Sequence, residues 1–221
     1  IFYKILKIVE NLHNNKLYNF NLKLSNIMLD GNYNPIFIDF STSKKCGEKL
    51  NNSDIIKHEY SSPEFYSENL KYDEFKLDSF SLGILLFTLR FGNEPFTIPL
   101  NNDDLFIYIK NGYSSIFWEK IKMKYNVEVT DEFKYLFINL VSDNPNNRYS
   151  IEDILSKKYM KEIVDKSEKF KYAENQVINK FERIKYIIKI KNKKLHIINE
   201  NKYKLYKLDN NYAKIENKPE R

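Results

Sequence analysis

The chain has 221 residues, of which 42% are hydrophobic, 15% aromatic and 30% charged, a balance that supports one packed domain plus an appendage and excludes wholesale disorder. The single Cys46 excludes an internal disulfide and fits a reducing compartment, and His13, His58 and His196, far apart and with no cysteine pair, argue against a structural zinc site. The net charge is +6, with Lys crowded from residue 157 onward; such a stretch can bind nucleic acid, acidic lipid or an acidic partner, and an Asn- and Lys-rich chain also drifts basic through composition alone.

Phe2, Ile5, Leu6, Ile8, Val9 and Leu12 recur mostly at three- and four-residue spacings, which predicts an amphipathic helix with one buried stripe. This N-terminal stretch has no h-region with a cleavage site, so no signal peptide is expected. Beginning on Ile1 in mid-pattern, the sequence reads as a fragment. The next segment, NFNLKLSNIMLD at 19–30, runs into a second apolar stretch, and the two flank Asp30-Gly31-Asn32, which predicts a hairpin with a tight turn. Asn26 then starts the first strand and Asp39 ends the second. An amide and a carboxylate converge there, a pair that suits a hard, oxygen-preferring cation such as Mg²⁺.

Residues 41–62 lose periodicity and read as a long polar loop, of the kind that is functional or mobile. Over 76–91 the sequence is apolar nearly all round, which predicts a central buried helix stopped by Gly92 and Pro95. The apolar run at 80–91 inside it is too short for a membrane span and carries Arg90. Further helices are expected near 103–111, 114–122, 131–141 and 150–157, the last opened by the cap-like pair Ser150 and Asp153. After about residue 165 the texture changes. Phe170, Val177, Phe181, Ile184 and Ile188 predict a basic amphipathic helix over 168–190, followed by a possible hairpin around Asn199-Glu200-Asn201 and a frayed polar end. With no span and no signal peptide expected, the reading is an intracellular, cytoplasmic protein.

Five landmarks in order resemble the C-terminal lobe of eukaryotic protein kinases, serine/threonine type, closest to the calcium/calmodulin-dependent group. Leu12-His13 leads into YNFNLKLSNIML, where that family has its catalytic loop, and Asp39-Phe40-Ser41 stands where it has Asp-Phe-Gly. Ser62-Pro63-Glu64 matches its Ala-Pro-Glu, Asp78-Ser79-Phe80-Ser81-Leu82-Gly83 its Asp-x-Trp-Ser-Leu-Gly, and Asn144-Pro145-Asn146-Asn147-Arg148 its Asp-Pro-x-x-Arg. The resemblance covers residues 1 to about 160 and implies an α+β, mainly α fold: a kinase-like large lobe at 1–163 with a small β-hairpin, and a basic extension at 164–221. The family's Gly-rich loop, strand Lys and helix Glu have no counterpart among the five Gly and the residues before the loop, so its N-terminal lobe is expected to be absent from this chain.

By the same resemblance Asn26 and Asp39 match two Mg²⁺ ligands, and Lys23 the catalytic-loop Lys that offsets charge on a transferred phosphoryl group. Asn21 occupies the position of the catalytic Asp, and an amide cannot take a hydroxyl proton at neutral pH. Asn19-Phe20 replaces His-Arg, Ser41 replaces a Gly, and Lys57 replaces a Thr. Glu64 and Arg148 would form a buried ion pair, and Asp78 would anchor the catalytic-loop backbone. The implied function is a catalytically impaired pseudokinase acting through protein interactions. The alternative is an active serine/threonine kinase whose other lobe is missing, using Mg²⁺ and ATP once complete. The expected partner is a protein, with an acidic or calmodulin-like one at the basic tail, no nucleic acid and no membrane span.

Overall fold

A computed structural model describes residues 1–19, 21–48, 57–67, 72–158 and 160, together with the backbone of a two-residue strand at 206–207. The helix expected over 168–190 lies outside the described residues, as does the hairpin expected around Asn199-Glu200-Asn201 apart from that strand.

Helix α1 spans Phe2–Asn14 and buries Ile5, Leu6, Val9 and Leu12, the stripe that its spacing predicts. Lys16 takes a left-handed backbone with φ of 56° and turns the chain into strand β1, Leu17–Tyr18. A 3₁₀ turn at Leu24–Asn26 leads to β2, Ile27–Leu29, which pairs antiparallel with β3, Pro35–Phe37, in the register Ile27 with Phe37 and Leu29 with Pro35. The hairpin is present, but its turn is wider than expected. Asp30 gathers it, its Oδ1 accepting the N–H groups of Asn32 and Asn34 and its Oδ2 accepting from Asn34 Nδ2. The left-handed residue of the turn is Tyr33, with φ of 58°, and not Gly31.

The polar loop after Ser41 contains a strand that periodicity did not foretell: β4, Lys44–Lys45, pairs antiparallel with β1. Strand β5, Tyr206–Lys207, adds to the hairpin on its β2 side, giving the order β3-β2-β5.

Helix α2, Glu74–Phe91, is the axis of the molecule. Asp73 caps it by accepting from Phe75 N–H and Lys76 N–H, and every residue from Leu77 to Thr88 is buried. It stops at Gly92, whose φ of 79° is the left-handed end that glycine adopts freely. Gly83 lets Leu140 and Val141 come close: a Cβ there would sit 2.5 Å from Val141 Cγ1 and 2.8 Å from Leu140 Cβ. Helices α3 (Phe106–Lys110), α4 (Ser114–Tyr125), α5 (Asp131–Leu140) and α6 (Ile151–Ser156) follow. Ser150 and Asp153 form a complete capping box at α6. Phe87 on α2 lies within ring-contact distance of Phe91, Phe117, Trp118, Tyr125 and Phe137, so the core is an aromatic cluster around the central helix. Among the described residues no helix is long and apolar enough to cross a membrane.

Candidate active site

The site is assembled where the loop after β1 meets the end of the hairpin. Asp78 on α2, fully buried, takes the backbone N–H of Asn19 at 2.9 Å and a ring nitrogen of His13 at 2.9 Å, both on Oδ2. That contact ties the loop to the central helix. Asn19 then turns its own side chain inward: its Oδ1 accepts the N–H of Asn21 at 3.2 Å, and its Nδ2 donates to the carbonyl of Asp39 at 3.3 Å.

Asn21 is 4% exposed and Asn19 2%, so their amides must find partners inside the protein. Asn21 Nδ2 donates to Asp39 Oδ2 at 3.3 Å, and the carbonyl of Asn21 accepts from Asn26 Nδ2 at 3.0 Å. The carbonyl of Asn26 in turn accepts the N–H of Ile38 at 3.0 Å, the link that seats the loop on the hairpin. Asn26 and Asp39 therefore converge as the hairpin geometry predicts, with Asn21 between them. The other oxygen of Asp39, Oδ1, accepts both the N–H and the hydroxyl of Ser41, at 2.9 and 2.7 Å. Asn21 Oδ1 is buried and has no hydrogen-bond partner among the described residues.

Lys23 is half-buried on the same loop, extended at φ −149° before the 3₁₀ turn. Its charge is felt at His58. Burial first, and Lys23 second, push the His58 pKa down to about 4, so this ring is neutral at pH 7. His58 Nδ1 accepts the N–H of Tyr60, which places its proton on Nε2, a buried atom without a partner among the described residues. The segment is pinned to α2 and the loop after it: Ser81 Oγ donates to the Tyr60 carbonyl, and the Tyr60 hydroxyl donates to Glu94. Lys57, the residue before His58, lies exposed with its ammonium over the Tyr66 ring.

A second polar centre lies apart from these residues. Arg148 and Glu64 form a two-pronged ion pair, Nη1 to Oε1 and Nη2 to Oε2, both at 2.7 Å. The remaining guanidinium N–H groups go to the carbonyls of Ser142, Lys76 and Asp143, so all five donors are used. The Phe80 ring closes over the guanidinium at 5.0 Å.

Sequence reasoning did not foresee the side-chain work of Asn19, Ser41 or His58. For Ser41 a local signal exists, since a carboxylate readily accepts the N–H two residues on. Nothing local marks the Asn19 contact with Asp39, which spans 20 residues of chain.

The oxygen atoms left over fit a hard cation. Asn26 spends its Nδ2 on Asn21 and keeps Oδ1, while Asp39 Oδ2 accepts one hydrogen bond and has a second lone pair. No group of three or more His, Cys, Asp or Glu that could hold a metal occurs among the described residues, so any cation here would depend on these two oxygens and a ligand's own atoms.

Comparison with known proteins bears on this geometry. The chain is similar to the serine/threonine-protein kinase kin-29 of Caenorhabditis elegans, 31% identical over 152 residues that cover 67% of this chain and 17% of that protein. It is similar to the serine/threonine-protein kinase SCH9 of Saccharomyces cerevisiae, 29% identical over 150 residues, 68% of this chain and 17% of that protein. It is also similar to human NUAK family SNF1-like kinase 2, 30% identical over 165 residues, 70% of this chain and 23% of that protein. The chain thus matches well under two thirds of the length of these relatives. The family model described as protein kinase domain matches residues 1–160, most of the chain, and the chain belongs to the protein kinase family.

Proposed function

We propose that this chain is the C-terminal lobe of a serine/threonine-type kinase domain that has lost its general base and works as a pseudokinase through protein contacts. One observation carries the reading. At the position of the base the chain offers an amide, Asn21, and that amide spends its donor on Asp39. An amide oxygen does not accept a proton at neutral pH. General-base assistance contributes typically about 10²–10⁴-fold, so phosphoryl transfer should be slowed by a factor of that order.

The rest of the machinery supports binding more than turnover. Asn26 Oδ1 and Asp39 Oδ2 would hold Mg²⁺ brought with ATP, which when bound would neutralise charge on phosphate oxygens. Lys23 supplies positive charge on the same loop. The motifs resemble those of the calcium/calmodulin-dependent group, and the basic extension at 164–221 suits an acidic or calmodulin-like protein.

A second reading, an active serine/threonine kinase, is favoured by a specific feature. Asn21 Oδ1 is buried and unpartnered among the described residues, an acceptor able to orient a hydroxyl without taking its proton. The two readings part on one assay: phosphate transfer from labelled ATP to serine and threonine peptides by the full-length protein and its Asn21→Asp variant. The pseudokinase reading expects the parent to be about 100-fold slower or more. A parent that transfers phosphate at a measurable rate, and as fast as the variant, would sink it in favour of the active enzyme.

A further inference from the structure

We infer that the groove between α4 and α5 is the docking site of this chain's own basic segment at 168–190, which lies outside the described residues. The inference goes beyond the reading of the active site. No residue of the groove belongs to that site, and neither outcome of the transfer assay bears on it.

The groove has a volume of about 770 Å³ and is walled by α4, the loop at 126–130 and α5. Trp118, Ile121, Val127, Val129 and Ile138 give it an apolar lining. Val127, Val129 and Ile138 are only half-buried and Tyr135, which also lines it, is 58% exposed, so the described residues leave this apolar surface open. Its charge is acidic in excess. Lys122 pairs with Glu128 and Lys134 with Asp131, while Glu119 is exposed and has no ion-pair partner among the described residues.

The chain itself supplies an occupant of matching position, length and charge. Met160 and Tyr135 line a second cavity of about 200 Å³, and Tyr135 lines the groove as well, so the chain leaves the described residues beside the α5 wall. About 16 residues then separate Met160 from Val177, a reach of up to about 50 Å, and the chain is anchored again at Tyr206 on β2. Val177, Phe181, Ile184 and Ile188 recur at spacings of four, three and four, the anchors of a helix laid in a groove. In a helix that stripe runs about 17 Å, and α4, of 12 residues, is about 18 Å long. Lys180 and Lys185 flank the stripe on its two sides, where Glu119 offers a carboxylate without a partner. Tethering at both ends raises the effective concentration of the segment at the groove, so one short stripe suffices to hold it.

The test is hydrogen exchange of the full-length protein, read by mass spectrometry over 114–138. In the parent the amides of α4 and α5 should exchange about tenfold more slowly than in the variant Phe181→Asp with Ile184→Asp, while those of α1 exchange alike in both. A synthetic peptide of residues 168–190 added to the variant should restore the protection, and the same peptide carrying the two aspartates should not. Carbodiimide coupling in the unaltered parent supplies a reading that no variant's folding affects: Glu119 should couple to Lys180 or Lys185, in a yield that dilution leaves unchanged. Equal exchange of α4 and α5 in parent and variant would overturn the inference, as would the absence of any coupling between Glu119 and the lysines of 168–190. Protection or coupling that falls on dilution would overturn it in favour of a second copy of the chain in the groove.

Discussion

The staple at Glu64 and Arg148 and the site around Asn21 and Asp39 both bury polar groups, yet they treat charge in opposite ways. At the staple a full positive charge meets a full negative one, and every guanidinium donor is used. At the site one carboxylate is met only by neutral donors, an amide, a backbone N–H and a hydroxyl. Geometry is over-determined in both places, but only at the staple is charge met by opposite charge. Where the chain kept ionised side chains, they join the segment at Pro63–Tyr66 to α2 and to the turn before α6. At the position proposed for the base it carries an amide. If the base is lost there, as proposed, the fold outlasts the reaction because the two depend on different residues.

That contrast is most exposed at the staple. Arg148→Ala would leave Glu64 buried with an unpaired charge and remove the side-chain donor from the carbonyls of Ser142 and Asp143, at a cost of about 3–5 kcal/mol. Urea unfolding of the full chain should show it, and Arg148→Lys should recover little, since a point charge cannot reproduce the two-pronged fork. Should Arg148→Ala cost less than about 1 kcal/mol, the staple would not be the stronger of the two centres and the contrast would fail.

His58 sharpens the comparison next, because it borders the site through Lys23 while packing with the scaffold. Its pKa is about 4 in the folded protein against 6.5 for an ordinary histidine, so between those values the unfolded chain binds the proton and the folded one does not. Stability is then whole above pH 6.5, declines as the pH falls to about 4, and is flat in this group below that. The loss tends toward about 3 kcal/mol, from roughly 1.4 kcal/mol per pH unit. Carboxylates titrate in the same window, so the signal is the difference between the parent and His58→Gln, whose profile should be flatter from pH 6.5 to 4. Parallel profiles would mean that His58 is not held neutral by its surroundings.

How far the sequence speaks for this molecule follows from the range of each interaction. Helix α1 is plain in the spacing of Ile5, Leu6, Val9 and Leu12, and the box at Ser150 and Asp153 is written within four residues. Helix α3 is shorter than its apolar pattern, and Asp103 accepts from Leu105 N–H and Phe106 N–H in the turn that leads into it. Strands β1 and β4 are two residues each and pair across 26 residues of chain, so neither has a period to detect. At the site, the meeting of Asn26 and Asp39 follows from a hairpin's two ends lying together. The asparagine network does not, since it depends on which way three amides turn once the loop is seated on Asp78. The motif series marks the loop, and only the packed loop tells what its amides do.

The smallest effect is expected at Ser41, and it bears directly on how the site balances its carboxylate. Ser41→Ala removes the hydroxyl bond to Asp39 Oδ1 and leaves the backbone N–H and the Asn21 amide in place. The residue is exposed, so water can fill the vacated direction, and the loss should be about 0.5–1 kcal/mol. Ser41→Gly should lose slightly more, because glycine adds backbone entropy to the unfolded chain. Both variants free a lone pair on Oδ1, so both should respond to MgCl₂ in thermal melts more than the parent does, while Arg148→Ala should not. A Ser41→Ala variant as unstable as Arg148→Ala would put the main strain of the fold at the site. One that melts like the parent and ignores MgCl₂ would mean that Asn21 and the backbone already satisfy Asp39 between them, and that the hydroxyl is surplus.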